Sequence, residues 1–205
     1  MSLRLLASSF TAPGADLRWD DEFLRTERSR LGLGRRTDRM TAAVLSALDR
    51  LEGRPDDAPL VFGSMLGVQS RITALQNDLI DFPEDQIGPV SFSCSVHNAV
   101  PGAAAIRFGM KVPIFSLAGF DRLPARAFQL ADAILSAGDA EHAAVILTEE
   151  RSPFADLAMK LSDLEPMEFA AVFLLEHADA DDPGAWPCPP PNLNYFQWIA
   201  SLLPG

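Results

Sequence analysis

Residues 93–150, SCSVHNAVPGAAAIRFGMKVPIFSLAGFDRLPARAFQLADAILSAGDAEHAAVILTEE, decide the fold. In order they predict a small-residue helix over 94–108, a short strand at Ile114–Leu117, a helix over 122–137 and a strand at Ala143–Leu147. The Ala and Gly of the first helix let backbones approach closely. Pro101 inside it removes one helical hydrogen bond and is expected to kink or restart it. In the second helix Phe128, Ala131 and Leu135 share one face, and Gly138 ends it.

The same alternation continues outward. Upstream lie a strand over 3–9, a helix over 38–52 and a short buried strand at Leu60–Phe62. The helix carries Met40, Val44, Leu48 and Leu51 on one face, with Gly53 to stop it. After Gly63-Ser64 a second amphipathic helix carries Val68, Ile72, Leu75 and Leu79 at helical spacing. Residues 81–90 read as a loop; residues 10–36 are mixed, with Trp19, Phe23 and Leu24 pinning them to the core. Downstream, Glu168–Glu176 (EFAAVFLLE) is a further strand. Strands alternating with helices indicate an α/β layered fold, with a mostly parallel central sheet flanked by helices.

The chain of 205 residues, 48% hydrophobic, has enough apolar material for one sizeable core and reads as a single domain over 1–205. Residues 178–205 form an acidic, Pro-rich tail whose PCPPP run is not expected to pack as a regular element. The tail ends in an apolar snippet, Tyr195 to Leu203, of the kind that docks on a surface. No apolar run reaches the roughly 18 residues of a membrane helix. The start, MSLRLLASSF, reads as a strand rather than a signal peptide. The two cysteines, Cys94 and Cys188, make neither a disulfide framework nor a metal pair, and a reducing cytoplasm is the expected location. No metal or cofactor motif appears.

The net charge is −11, and residues 132–205 hold 13 of the 28 acids but two of the 17 bases, Arg151 and Lys160. That balance excludes nucleic acid, which needs clustered Lys and Arg. Arg35, Arg36 and Arg39 do cluster; they read as a solvated or partner-facing helix start, with an acidic partner such as an acyl carrier protein as the second reading.

The segment over 35–149 resembles the centre of the thiolase-fold β-ketoacyl synthases. In that family a helix of the type N-x-x-A-G-x-x-A-I-x-F-G leads through Gly-Pro into a short strand that ends on the nucleophilic cysteine. A helix, a Gly-Asp-Ala turn and another strand follow. Here the helix is Asn98–Gly109, with Gly102, Ile106, Phe108 and Gly109 in place; Val112-Pro113 stands for Gly-Pro; the turn is Gly138-Asp139-Ala140. FSCSVHNAVPG, with VFGSMLG upstream, is closer still to the chain-length-factor branch found in aryl-polyene-type pathways. The resemblance implies one thiolase-like half: these residues account for about half of the family fold, and the two supporting histidines of the other half match none of His97, His142 or His177.

The resemblance also places Asp121 at the nucleophile position, or Phe120 if the alignment slips by one. Neither is a thiol, and condensation needs a thiolate to take up the acyl group. No catalytic residue is therefore assigned. Asp121 reads as a cap for the helix that follows. Cys94 and His97, three apart on a predicted helix, form the alternative reading of a weak acyl-thioester-processing enzyme through a thiolate–imidazolium pair. Against it, a small Cys in a Ser/Ala helix is usually core, and His97 then bonds backbone or a facing subunit. Ser64 in FGSMLG does not fit a nucleophile elbow, because Gly63 directly precedes it.

A non-catalytic subunit implies a partner. In the family the strand here at Ile114, Phe115, Ser116 and Leu117 pairs with the same strand of a second subunit, and an unpaired edge strand is a liability unless covered. The implied assembly is a heterodimer with a full-length β-ketoacyl synthase whose acyl tunnel this chain closes. The candidate wall is the helix after Gly67, with Gln69, Ile72 and Gln76, together with Phe92; His97 and Asn98 are further interface candidates. A homodimeric scaffold without a tunnel role is the blander alternative.

Overall fold

Two strands apolar on both faces form the middle of the sheet. In the computed structural model, which describes residues 3–13, 18–54, 56–119, 122–161, 165–179, 181–186, 189 and 194–202, these are β4 (His142–Glu149) and β5 (Phe169–His177). Every residue from Ala143 to Glu149 and from Phe169 to Leu175 is buried, as expected of strands covered by helices on both sides. Alternation assigns the two faces. Val145, Leu147, Phe169 and Phe173 join one core cluster, and Ala144, Ile146, Val172 and Leu174 the other.

The remaining strands are β1 (Leu3–Thr11), β2 (Leu60–Ser64), β3 (Ile114–Ala118) and β6 (Ala185–Trp186), and the order across the sheet is β3-β2-β4-β5-β1-β6. β2 lies parallel to β3 and β4, with Leu60 opposite both Ile114 and Ala144. β5 runs antiparallel to β4 and β1, and β6 antiparallel to β1. Four strands thus point one way and β5 and β6 the other. The layered α/β class and the majority strand direction agree with the sequence. The pairing itself is mixed, because β5 is inserted between two strands of the other sense.

α2 (Arg39–Arg50) covers one face with all of Met40 to Leu48 buried, and Asp38 caps it by accepting the Thr41 N–H at 2.8 Å. α6 (Leu123–Ser136) covers the other face with Leu123, Phe128, Ala131 and Leu135. Within residues 10–36 the chain forms α1 (Asp21–Leu31), capped by Asp20 and closed by Gly32. α3 (Gln69–Asp81) follows β2. The stretch expected as one helix over 94–108 is a turn over 94–98 followed by α5 (Ala99–Phe108); a separate short helix, α4 (Pro89–Ser93), precedes it. Pro101 lies in the first turn of α5, where the missing N–H is not needed. The expected loop over 81–90 contains a short 3-10 turn, Glu84–Gln86, and the start of α4. α7 (Pro153–Leu161) and α8 (Tyr195–Leu202) complete the α6 side.

Two described parts of the C-terminal stretch form regular elements, β6 and α8 (Tyr195–Leu202). Leu3 pairs with Trp186 across β1 and β6, and the Trp186 ring stands 5.2 Å from Phe128 and 5.4 Å from Phe173. The aromatic contact gives a short segment of Pro-rich chain a reason to pair. α8 docks on the α6 face through Tyr195, Phe196 and Ile199, with Tyr195 5.5 Å from Phe169. Cys188 lies outside the described residues.

Ile199 is fully buried, so Ile199→Ala is expected to cost about 2–5 kcal/mol in urea unfolding. A loss below about 0.5 kcal/mol, typical of surface positions, contradicts the docking of α8.

Candidate functional site

In sheets of this class ligands gather at the carboxyl ends of parallel strands. Here that end holds three buried carboxylates. β4 ends on Glu149 and Glu150 follows it, each 1% exposed, and Glu168 precedes β5 with no exposure. The Glu149 carboxylate accepts the Met65 N–H at 2.6 Å and the Ser64 hydroxyl at 3.1 Å; the Ser64 Oγ accepts the Gly67 N–H at 2.9 Å. Glu150 accepts the Ser70 N–H at 2.6 Å and the Ser70 hydroxyl at 3.1 Å. Glu168 accepts the N–H of Trp19 and, at 2.9 Å, that of Arg151, with the Arg39 guanidinium 3.8 Å away. Burial pushes the Glu149 carboxyl up to about 8, against the backbone N–H of Met65 and the Ser64 hydroxyl, which hold it down. Burial likewise pushes Glu150 up to about 7, and Glu168 upward too. Tyr195 on α8 points a buried, unpartnered hydroxyl into this pole; burial and the Glu149 charge raise its pKa.

His97, in the turn between α4 and α5, ties two strand ends together. Its Nε2 lies 3.2 Å from the Ser64 carbonyl oxygen and 3.0 Å from that of Leu117. Two carbonyl acceptors on one nitrogen place the proton on Nε2. The ring meets Phe62 edge-on at 5.9 Å. Gly67 serves this contact: its φ is +72°, and a Cβ there would stand 2.6 Å from the His97 Nδ1. Among the described residues no hydrogen bond joins Cys94 to His97, and the Nε2 is committed to the carbonyls. Cys94 instead lines an open cavity of about 250 Å³ with Gly34, Arg36 and Asp38.

The other described residues singled out in the sequence lie on α3, α4 and β3 and at the start of α5. Phe92 on α4 is 64% exposed, and Asn98 is exposed. In β3, Ile114 and Phe115 are exposed, while Ser116 and Leu117 are half-buried; the Ser116 Oγ is shut from solvent without a hydrogen-bond partner. β3 is the outermost strand, so its far edge is unpaired among the described residues. Gln69 is buried and its amide donates to the Leu66 carbonyl; Ile72 is half-buried and Gln76 exposed. Asp121 and Phe120 lie outside the described residues. Sequence reasoning missed the three glutamates. The available signal was the TEE that ends AAVILTEE: acids directly following a strand buried on both faces.

Residues 32–183 match the family described as beta-ketoacyl synthase, N-terminal domain. The chain belongs to this β-ketoacyl synthase family. Among solved structures, this family member is similar to the ketosynthase ApeO in complex with its chain length factor ApeC from Xenorhabdus doucetiae (TM-score 0.68, 18% identity, 88% of this chain and 81% of that one). It is similar to the ishigamide ketosynthase/chain length factor (0.67, 22%, 89% and 64%). A third is AntDE:AntF, a type II polyketide acyl-carrier protein in complex with its ketosynthase (0.60, 14%, 86% and 63%). This chain thus spans less than two thirds of the latter two. At these identities the likeness establishes the thiolase-type fold. No curated protein sequence matches the chain. No helix among the described residues is long and apolar enough to cross a membrane.

The raised carboxyls set a pH dependence. Their folded-state values lie above the unfolded one near 4.5, so between about pH 5 and 8 the folded chain holds protons that the unfolded chain has lost. This contribution to stability is full below the unfolded value and is lost as pH rises through that window. The urea midpoint is expected to fall from pH 5 to pH 8, and Glu149→Gln is expected to flatten the fall. A variant profile as steep as the wild type's contradicts the assignment.

Proposed function

We propose that the chain is a non-catalytic, chain-length-factor-like subunit. It pairs with an active β-ketoacyl-ACP synthase and shapes that enzyme's acyl tunnel, in cytoplasmic fatty-acid or polyketide synthesis of the aryl polyene type. The observation that carries this reading is the open edge of β3, with Ile114 36% and Phe115 37% exposed beside it. Such an edge calls for a partner strand, and the ApeO and ishigamide structures are those of synthases with chain length factors. The absence of a thiol at both candidate nucleophile positions, Asp121 and Phe120, supports a subunit that leaves condensation to its partner.

α3 and Phe92 supply the tunnel wall in this reading. α3 follows β2, and α4, which carries Phe92, packs against α3; the Ile72 and Gln76 side chains set how far an acyl chain can grow. Arg35 and Arg36 are exposed and take part in no ion pair among the described residues, which suits an acidic acyl carrier protein.

Co-expression with a ketosynthase of the same pathway, followed by sizing, is expected to give a one-to-one heterodimer, and Phe115→Lys is expected to weaken it at least tenfold. A homodimer untouched by the synthase contradicts the proposal. In the reconstituted pair, Ile72→Trp is expected to shorten the product; unchanged product length contradicts the tunnel role. Stoichiometric acylation of Cys94 by acyl-carrier protein contradicts the non-catalytic reading.

A further inference from the structure

α3 is held almost entirely by one end. Of its 13 residues only Gln69 is buried, and near its far end Leu79 and Ile80 are 53% and 80% exposed. Apolar packing therefore does little to fix its direction. Its attachments concentrate in the first turn and the loop before it. Val68, at the cap position, provides no side-chain bond; the Gln69 and Arg71 N–H groups donate to the Gly67 and Val68 carbonyls, which leaves the Ser70 N–H in need of an acceptor from elsewhere. The Gln69 amide closes onto the Leu66 carbonyl, and the Arg71 guanidinium donates to the Arg36 carbonyl, with its Nε 3.6 Å from Asp38. Among the described residues, the hydrogen bonds that reach α3 from the end of β4 come from Glu150, whose two oxygens take the Ser70 N–H at 2.6 Å and the Ser70 hydroxyl at 3.1 Å. Glu149, one residue earlier, fixes the base of the same loop at Ser64 and Met65.

We infer that Glu150 is a positioning residue: a cap supplied by β4's end that sets the pose of α3, and through it the placement of Ile72 and Gln76. The consequence for chain length rests on the reading of α3 as a tunnel wall. A helix of this length extends roughly 18 Å, so a tilt of about 10° about its first turn moves the far end by about 3 Å. That displacement is comparable to the two carbon–carbon bonds, about 1.5 Å each, that one elongation adds. A residue that never meets the acyl chain thus acts on its length. Glutamine at 150 keeps an acceptor for the Ser70 N–H and a donor for its hydroxyl, and so preserves the clamp; alanine removes it.

The test is amide hydrogen exchange on the full chain, read over residues 69–82, for wild type, Glu150→Gln, Glu150→Ala and Ser70→Pro. Glu150→Ala is expected to speed exchange across α3 roughly tenfold or more while β4 and α6 stay protected, with Glu150→Gln near wild type. Equal exchange in wild type and Glu150→Ala overturns the inference, as does a Glu150→Gln variant as loose as alanine. If Glu150→Ala loosens the whole chain, Ser70→Pro decides, because it removes both the N–H and the hydroxyl at a first-turn position like that of Pro124 in α6: a rise confined to α3 supports the clamp, and none overturns it. Product length in the reconstituted pair separates the two layers. Loosened α3 with unchanged product length leaves Glu150 as the positioning residue and removes the tunnel reading.

Discussion

β4 carries the molecule. It is buried on both faces, hydrogen-bonded on both edges, and runs directly into two carboxylates that enter the interior with it. A buried carboxylate is costly unless its oxygens find donors. Glu149 and Glu150 find theirs in the loop from Ser64 to Ser70, so satisfying them dictates where that loop goes and where α3 starts. His97 then needs the Ser64 carbonyl in that place to link β2 to β3, and Gly67 is the residue that leaves room for the ring. One polar requirement at the end of one strand thereby organises the whole carboxyl pole of the sheet.

The two outer strands of the sheet are treated differently. At one side β6, short and pinned by Trp186, closes off β1, and α8 covers the α6 face with Tyr195, Phe196 and Ile199. At the other side β3 ends the sheet bare, with exposed Ile114 and Phe115 and a buried, unpartnered Ser116 hydroxyl. Soluble chains normally blunt such an edge with charge, Pro or a covering element. Here none of these is placed on β3 among the described residues. The unblunted edge, more than the missing thiol, is what points to assembly as the chain's work.

Much of this was legible in advance. The two-sided apolar runs of β4 and β5, the stripe of α6 and the family motif over 98–109 gave the layers and the family, and Pro101 announced the restart of a helix. What escaped reading has physical causes. α1 shows no apolar stripe because its buried residues are Leu31 and Glu27, the latter drawn inward by Arg30 at 2.8 Å and Arg50 at 3.1 Å. α7 reverses the usual pattern, burying Ala155 and Met159 while Phe154, Leu157 and Leu161 face outward. The three glutamates escaped because charge in a sequence is normally read as surface, and only the path of β4 and β5 shows them to be interior. Of the proposed site residues, His97 and Gln69 are tied by side-chain bonds to the pole, while Phe92, Asn98, Ile114, Phe115 and Gln76 are exposed.

The β3 edge is the feature on which assembly depends. The most direct measurement is amide exchange of Ile114–Ala118 in the free chain and in the chain co-purified with a ketosynthase. Pairing with a partner strand predicts strong new protection of the β3 amides that do not bond to β2, with little change at β6 on the far edge. Equal exchange of those amides in the free and the assembled chain would contradict the central claim.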